Sequence, residues 1–554
     1  MSRPMRAMRW VSALEKVFPR PELDAPEFSE MSALRGEVFS VQLAYRPEFL
    51  LEPLAVEVVS PLRGDVCVRQ VRSVPAEYFG AERDEYTPEA LPGLYPDLLS
   101  RYDDFRSAPG IWHSLWLTVR IPDDAPAGRI PLALRFVHRK PEWGTERDFT
   151  VETPVFTLEI LPAKLPESRL KVTEWLHCDS LCERYRIAPW SGEFFAVLER
   201  YLRNMRRHGV NMIYTPLVTP PLDTRVGLER LTVQSVAIEL DEAGRWHFDF
   251  TDLGRFLSLA ERCGMEYFEF SHLFSQWGAK SAPKIMVKRA GKRECEKYFS
   301  WHTAADSAEY RAFLEELLTA LGRFLHEKGL FERSCFHISD EPGEESLERY
   351  RSAAELFRRC LPGGKFLDAL SHAEFFREGA VQIPVASIDR FGEFSDLELP
   401  ERWTYYCVSQ WNKVTNQFMH FPSARNRVFG VLAYVYRLDG FLHWGYNFWS
   451  GQLSTFPVDP YRDPCAGRAF PPGDAFKVYP GADGCPEDSI RHEVFFDALQ
   501  DLAALRALEE KTSRETVLGI IGRTFGKVPS MTEYPRDAAA LLDLRRAVNA
   551  AFAD

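Results

Sequence analysis

The stretch Cys335-Phe336-His337-Ile338-Ser339-Asp340-Glu341-Pro342 carries an apolar strand straight into two adjacent carboxylates and a proline. Charges where a buried strand meets solvent are costly unless they are used. Like charges this close push their pKa values apart, which gives one site an acid and an anion at neutral pH. Just downstream, Glu345 to Cys360 sets Leu347, Tyr350, Ala353, Ala354, Leu356 and Phe357 at helical spacing. A strand followed by an amphipathic helix is the half-unit of a parallel α/β fold, and the alternation extends both ways. Strands are predicted at 171–178, 211–217, 267–274, 334–341, 366–371, 385–389, 403–410 and 441–448. Helices are predicted at 193–208, 252–263, 308–328, 345–360 and 489–509. Eight such units predict a (β/α)₈ TIM-like barrel, the fifth to seventh helices being poorly defined.

Upstream the rhythm changes. Short alternating runs such as Val38 to Leu43, Leu115 to Val119 and Phe156 to Leu161 are separated by Pro, Gly and Asp turns. They predict an antiparallel β-sandwich. At 554 residues the chain is too long for one core. The expected division is 1–165 for the sandwich and 166–554 for the barrel with its C-terminal helices, joined at Leu161–Arg169. The net charge of −12 excludes a basic nucleic-acid footprint. No run approaches the roughly 20 apolar residues of a membrane span. Met1 to Arg20 lacks the apolar segment of a signal peptide, and the ten cysteines carry no CxxC pairing. The expectation is a cytoplasmic protein with neither a membrane nor a nucleic-acid partner.

The strongest polar clusters fall at predicted strand ends, and barrel chemistry sits at the C-terminal ends of strands. They are Trp175, His177 and Asp179 after the first; Tyr214 to Thr224 after the second; and His272 with Gln276-Trp277 after the third. Asp340-Glu341 follows the fourth, Asp389-Arg390 the sixth, Gln410-Trp411-Asn412 the seventh, and His443 to Trp449 the eighth. Converging on one mouth, they describe a pocket that stacks a pyranose on aromatic faces and bonds its hydroxyls.

Successive strand side chains point to opposite faces. For Asp340 and Glu341 both to face the mouth, regular strand geometry must end between them, and Pro342 is expected to hold Glu341 extended. An ordinary glycosidase straddles the anomeric carbon with two carboxyls at least about 5 Å apart, which sequence neighbours do not easily do. The seventh strand end, Tyr405 to Gln410, has no acid. Two readings follow. Asp389 on the sixth strand is the nucleophile and Glu341 the acid/base, or the substrate supplies its own nucleophile. In the second, a 2-acetamido carbonyl attacks the anomeric carbon to form an oxazoline. Asp340 orients the amide and Glu341 serves as general acid, then base.

The stretches TEWLHCDSLCERY, YTPLVTPPLDT, SHLFSQWGAKSAPKIM, HISDEP, FPSARNR with GFLHWGYNFW, and FKVYPG followed by SIRHE are similar to glycoside hydrolase family 123 over most of 170–510. The resemblance implies an accessory N-terminal sandwich and an exo-acting β-N-acetylgalactosaminidase. It implies substrate-assisted catalysis by Asp340 and Glu341, with no metal or other cofactor, on an oligosaccharide or glycoconjugate. As supporting residues, Tyr446 or Tyr405 is expected to donate to the acetamide oxygen, and Trp411, Trp444 and Trp449 to form the stacking wall. His337 is expected to brace the carboxylates, and Asn412, Asn447 and Arg491 to read hydroxyls. A metal reading would need His177, Asp179, His272, His337 and Asp340 to converge without recognised ligand spacing. The basic run Lys280 to Lys297 is either a solvated loop or a contact for an anionic substituent. Outside the enzyme class, the remaining reading is a glycan-binding protein on the same barrel.

Overall fold

The computed structural model describes residues 5–51, 54–80, 84–87, 90–101, 106–138 and 148–553. Of the N-terminal segment Met1 to Arg20, the opening Met1–Pro4 lies outside them. The first portion is two sheets packed face to face. One runs Met5–Ser12, Val38–Pro47, His113–Arg120, Val66–Ala76, Gly93–Ser100, all antiparallel. The other runs Glu30–Arg35, Phe156–Lys164, Gly128–His138, Leu54–Val59, with Phe149–Glu152 added to Gly128–His138. Period-two alternation sends Val41, Leu43, Leu115 and Leu117 from one sheet and Leu134, Phe156, Leu158 and Ile160 from the other into a shared core. Burial of each stabilises by about 1.5–3 kcal/mol. One pairing departs from the all-antiparallel expectation. Glu30–Arg35 and Phe156–Lys164 are parallel, which their long intervening connection permits.

Eight parallel strands then close a barrel: β1 (Lys171–Glu174), β2 (Met212–Thr215), β3 (Tyr267–Phe270), β4 (Ser334–Phe336), β5 (Lys365–Leu370), β6 (Ile383–Ser387), β7 (Trp403–Tyr405) and β8 (Gly440–His443). All eight predicted strands are present in order. Most stop several residues early, because the polar strand ends leave the ladder and become the mouth. Met212, Cys335, Leu367, Val385, Trp403 and Leu442 fill the interior. At the closed end, Gly440 lies so near the Trp403 indole that a Cβ would sit 2.1 Å from the ring, so glycine there makes room for the plug.

Around the barrel run α1 (Cys178–Tyr185), α2 (Gly192–Arg207), α3 (Thr251–Arg262), α4 (Ala308–Glu327) and α5 (Leu347–Cys360). Ser191 Oγ caps α2 by accepting from the Phe194 N–H at 3.2 Å. The weakly predicted helices are indeed vestigial. They are α6 (Glu374–Arg377), a three-residue turn after β6, and the short pair α7 (Ser423–Arg427) and α8 (Phe429–Val435). A side sheet ordered Trp246–Asp249, Ala237–Leu240, Ile285–Arg289, Glu296–Phe299 is inserted in the loops after β2 and β3. The chain ends with α9 (Ile490–Lys511), α10 (Arg514–Phe525) and α11 (Ala538–Ala553).

Buried charge pairs join the sandwich to the barrel helices. Arg69 contacts Asp488 at 2.7 Å and also Glu493. Arg491 Nε donates to Asp97 Oδ1 at 2.9 Å. Arg545 on α11 reaches Glu37 at 2.5 Å and Asp501 at 2.9 Å. Among the described residues, no helix is long and apolar enough to cross a membrane.

Candidate active site

The centre of the mouth is the turn that follows β4. The ladder ends at Phe336, and Glu341 has φ +41°. This corrects the expectation of an extended Glu341. A left-handed non-glycine residue costs on the order of 1–3 kcal/mol and persists only where its surroundings impose it. Here the Asp368 carboxylate of β5 accepts from the backbone N–H groups of Ile338 (3.1 Å) and Ser339 (3.3 Å) and from the Tyr350 hydroxyl (2.5 Å). The loop after β3 grips the same turn, with the Trp277 N–H donating to the Asp340 carbonyl at 3.0 Å.

The strain separates two side chains that adjacency would otherwise keep together. Asp340 Oδ2 accepts from Gln276 Nε2 at 2.8 Å, on the β3 side. Glu341 Oε1 accepts from the Tyr405 hydroxyl at 2.6 Å, on the β7 side. Asp340 is buried and Glu341 partly exposed. Burial pushes the Asp340 carboxyl well above the usual carboxylate range, and the charge of Glu341 adds to this. Burial likewise raises Glu341; Tyr405 pulls it down and Asp389 pushes it up. Both carboxyls are thus held above the usual carboxylate range, so each favours its protonated form more than a free carboxyl does.

Beneath them His337 bridges two buried carboxylates, its Nδ1 2.8 Å from Asp368 Oδ1 and its Nε2 against Glu269 Oε1. Burial opposes its charge, but Glu269 and Asp368 raise its pKa to about 10. Glu269 also accepts from Trp175 Nε1 at 2.9 Å and from the Thr173 hydroxyl. His272 stacks on His337 with ring centroids 4.2 Å apart and meets the Tyr214 hydroxyl at 3.1 Å.

The remaining predicted site residues divide. Asp179 is clamped bidentately by Arg230 at 2.6 and 2.7 Å, and Arg230 also donates to His177 Nδ1 at 3.0 Å. Burial and that guanidinium lower the His177 pKa to about 4, so its Nε2 carries the proton donated to the Trp444 carbonyl at 2.9 Å. The histidines and acids of the metal reading therefore fall into two groups. One is occupied by a guanidinium, and the other has both nitrogens of His337 engaged by carboxylates. Trp444, at the end of β8, is partly exposed and donates to Asp474 Oδ2 at 3.0 Å. Asp389 is exposed and accepts from the Ser387 hydroxyl. Trp411 lines a cleft of about 270 Å³ with Phe79, Phe418 and His420, between the sandwich and the loop after β7, and Asn412 is exposed beside it.

Four expectations are corrected. The Tyr446 hydroxyl donates to Asn204 Oδ1 at 2.8 Å on α2, and its ring packs against Tyr201 and His492 outside the barrel wall. Trp449 packs on the same Tyr201, its Nε1 donating to the Val478 carbonyl at 3.3 Å. Asn447 accepts from the His177 N–H at 2.7 Å and donates to the His177 carbonyl at 3.1 Å, which clamps the β8 end to the β1 end. Arg491 is consumed by Asp97. In the basic run, Lys284 bonds the Arg230 carbonyl near Glu229, Lys288 lies 4.0 Å from Glu239, Arg289 3.3 Å from Glu296, and Lys297 against Glu229. Those four charges are compensated by the protein itself.

Sequence reading missed Glu269, Asp368, Arg230 and the hold of Gln276 on Asp340. For the first two a signal existed. A lone acid in Tyr267-Phe-Glu-Phe270 or Phe366-Leu-Asp-Ala-Leu370 interrupts a strand buried on both faces, and such a charge needs a partner.

The family model for the glycoside hydrolase 123 catalytic domain matches residues 175–508. A solved family 123 glycoside hydrolase from Clostridium perfringens, studied for glycolipid glycan hydrolysis, aligns with TM-score 0.74 at 13% identity, covering 99% of this chain and 98% of that one. That likeness is one of fold. A family 5 mannosidase from Rhizomucor miehei aligns with TM-score 0.35 at 12% identity over 63% of this chain and 95% of its own. Among curated proteins none matches the chain.

Proposed function

Because this chain belongs to glycoside hydrolase family 123, we propose that it removes a terminal β-linked N-acetylhexosamine, N-acetylgalactosamine in the first instance, from an oligosaccharide or glycoconjugate with retention. The reading assigns Asp340 and Glu341 a substrate-assisted reaction. The acetamide N–H binds Asp340 while its carbonyl oxygen bonds to the anomeric carbon. The bond from that carbon to the leaving oxygen breaks, and Glu341 delivers its proton to that oxygen. Asp340 balances the positive charge that grows on the oxazoline ring. In the second half Glu341 takes a proton from water, whose oxygen attacks the anomeric carbon and reopens the ring.

The observation that carries this reading is the opposed anchoring of two neighbouring acids, Asp340 by Gln276 and Glu341 by Tyr405. An amide N–H arriving at Asp340 stabilises its anion, and that neighbouring charge favours the protonated form of Glu341, which the leaving group needs. The test is a pair of aryl glycosides that differ only at C2. The 2-acetamido compound is expected to be cleaved at least about a thousandfold faster than its 2-hydroxy analogue, because a tethered nucleophile carries a large effective molarity. Equal rates would contradict it.

The second reading, Asp389 as nucleophile, is kept alive by one observation: the charge of Asp389 acts on Glu341. Against it, Asp389 is exposed. The substrate-assisted reading predicts that Asp389→Asn lowers kcat only a few fold. Removing a charge that raises the Glu341 pKa should also move the alkaline limb of the rate profile to lower pH. A loss on the order of 10⁴-fold or more, with a 2-hydroxy substrate preferred, would instead make Asp389 the nucleophile.

A further inference from the structure

Resting on that reading, the geometry points to Trp277 as the platform of a leaving-group subsite, taking the apolar face of the sugar next to the bond that is cleaved. Trp277 is 48% exposed, yet the two residues that follow it are buried and the loop is tied at several points. Trp277, Gly278 and Ala279 have φ of +58°, +110° and +50°, a left-handed run that an aromatic residue adopts only under constraint. The constraint is the catalytic turn. The Ser339 hydroxyl accepts from the N–H groups of Gly278 (3.3 Å) and Ala279 (3.1 Å), Trp277 N–H holds the Asp340 carbonyl, and Arg349 donates to the Gly278 carbonyl at 2.9 Å. A Cβ on Gly278 would lie 2.7 Å from Ser346, so the loop has no slack.

The other tryptophans at the strand ends are placed differently, Trp411 lining the cleft against the sandwich. Trp175 is buried and stacked on Tyr214. Trp444 packs on Phe448 and Phe470, and Trp449 is buried against Tyr201. Trp277 thus carries an exposed indole on the loop whose backbone is bonded to Asp340. Its exposure places it at the rim, where an exo-acting pocket meets the leaving group. Neighbouring loops continue that rim. Gln276 Oε1 accepts from the Asp223 N–H at 2.8 Å, and Asp223 Oδ2 accepts from the Leu453 N–H at 3.0 Å. Close to these ties stand the exposed apolar side chains Val226 and Phe456.

The test compares two substrates bearing whichever 2-acetamido sugar the wild-type enzyme releases: its glycosyl fluoride, whose leaving group is one atom, and its β-linked disaccharide. Trp277→Ala is expected to lower kcat/KM on the disaccharide about 10- to 100-fold, the worth of one stacked ring, and on the fluoride by less than about threefold. Trp277→Phe should stay within about fivefold of wild type on both. If Trp277→Ala does not fold, Trp277→Leu, apolar but ringless, is held to the same ratio. Equal losses on the two substrates, or no loss on the disaccharide, overturn the subsite. A wild-type enzyme inert on both overturns the functional reading, and the subsite with it.

Discussion

Glu341→Gln is expected to lower kcat on a sugar or alkyl leaving group by about 10²- to 10⁴-fold, the usual contribution of a positioned proton donor. The loss should shrink sharply with a dinitrophenyl-type leaving group, which departs without a proton. The pH profile supplies an independent check. A general acid works while protonated, so wild-type activity falls as pH rises through the pKa of Glu341, which burial and Asp389 raise and Tyr405 lowers. The amide variant should lose that alkaline limb. Stopped assays with paired leaving groups measure both effects. A loss independent of leaving group would remove Glu341 from the proton-transfer role.

The second large effect concerns stability. His337 sits as a buried cation between Glu269 and Asp368. Replacing it with alanine leaves two carboxylates facing a cavity without a counter-charge, and breaking a buried pair in this way costs about 3–5 kcal/mol. The sign with pH follows from the raised value. The folded-state pKa of about 10 lies above the ordinary value near 6.5. The stabilisation is therefore complete below about 6.5 and is lost as pH climbs through about 10. Denaturant titrations of wild type across that window should show a falling unfolding free energy, and His337→Ala should show a lower but flatter line. A variant within about 1 kcal/mol of wild type at pH 6 would contradict the ion-pair description.

Much of this architecture can be read from residues alone. The β-rich start, eight barrel strands and five long helices follow from period-two and helical spacing. The helices after β5 to β7 resisted because α6 is too short to establish a period. Of the seven residues of α8, six are buried, so no polar face marks its rotation. The parallel pairing of Glu30–Arg35 escaped because alternation reports faces, not partners. At the site, Asp340 and Glu341 stood out as charges at the end of an apolar strand. Tyr446, Asn447 and Trp449 misled for the opposite reason. Once β8 ends at His443, strict alternation no longer says which side chain turns inward. The segment instead packs outward on α2 and clamps β1. Arg491 lies on α9, a helix buried on nearly every side, where a cation must find an internal partner.

The ion pairs that cross from the sandwich bear on how this enzyme can be taken apart. Excising everything before Lys171 would strip Asp488 and Glu493 of Arg69, and Arg491 of Asp97. A catalytic fragment made by truncation would thus keep only the weaker histidine, amide and carbonyl partners of these charges at the start of α9. Module swapping, common practice with carbohydrate-active proteins, has no clean seam here: the front of the chain is a permanent buttress rather than an appendage.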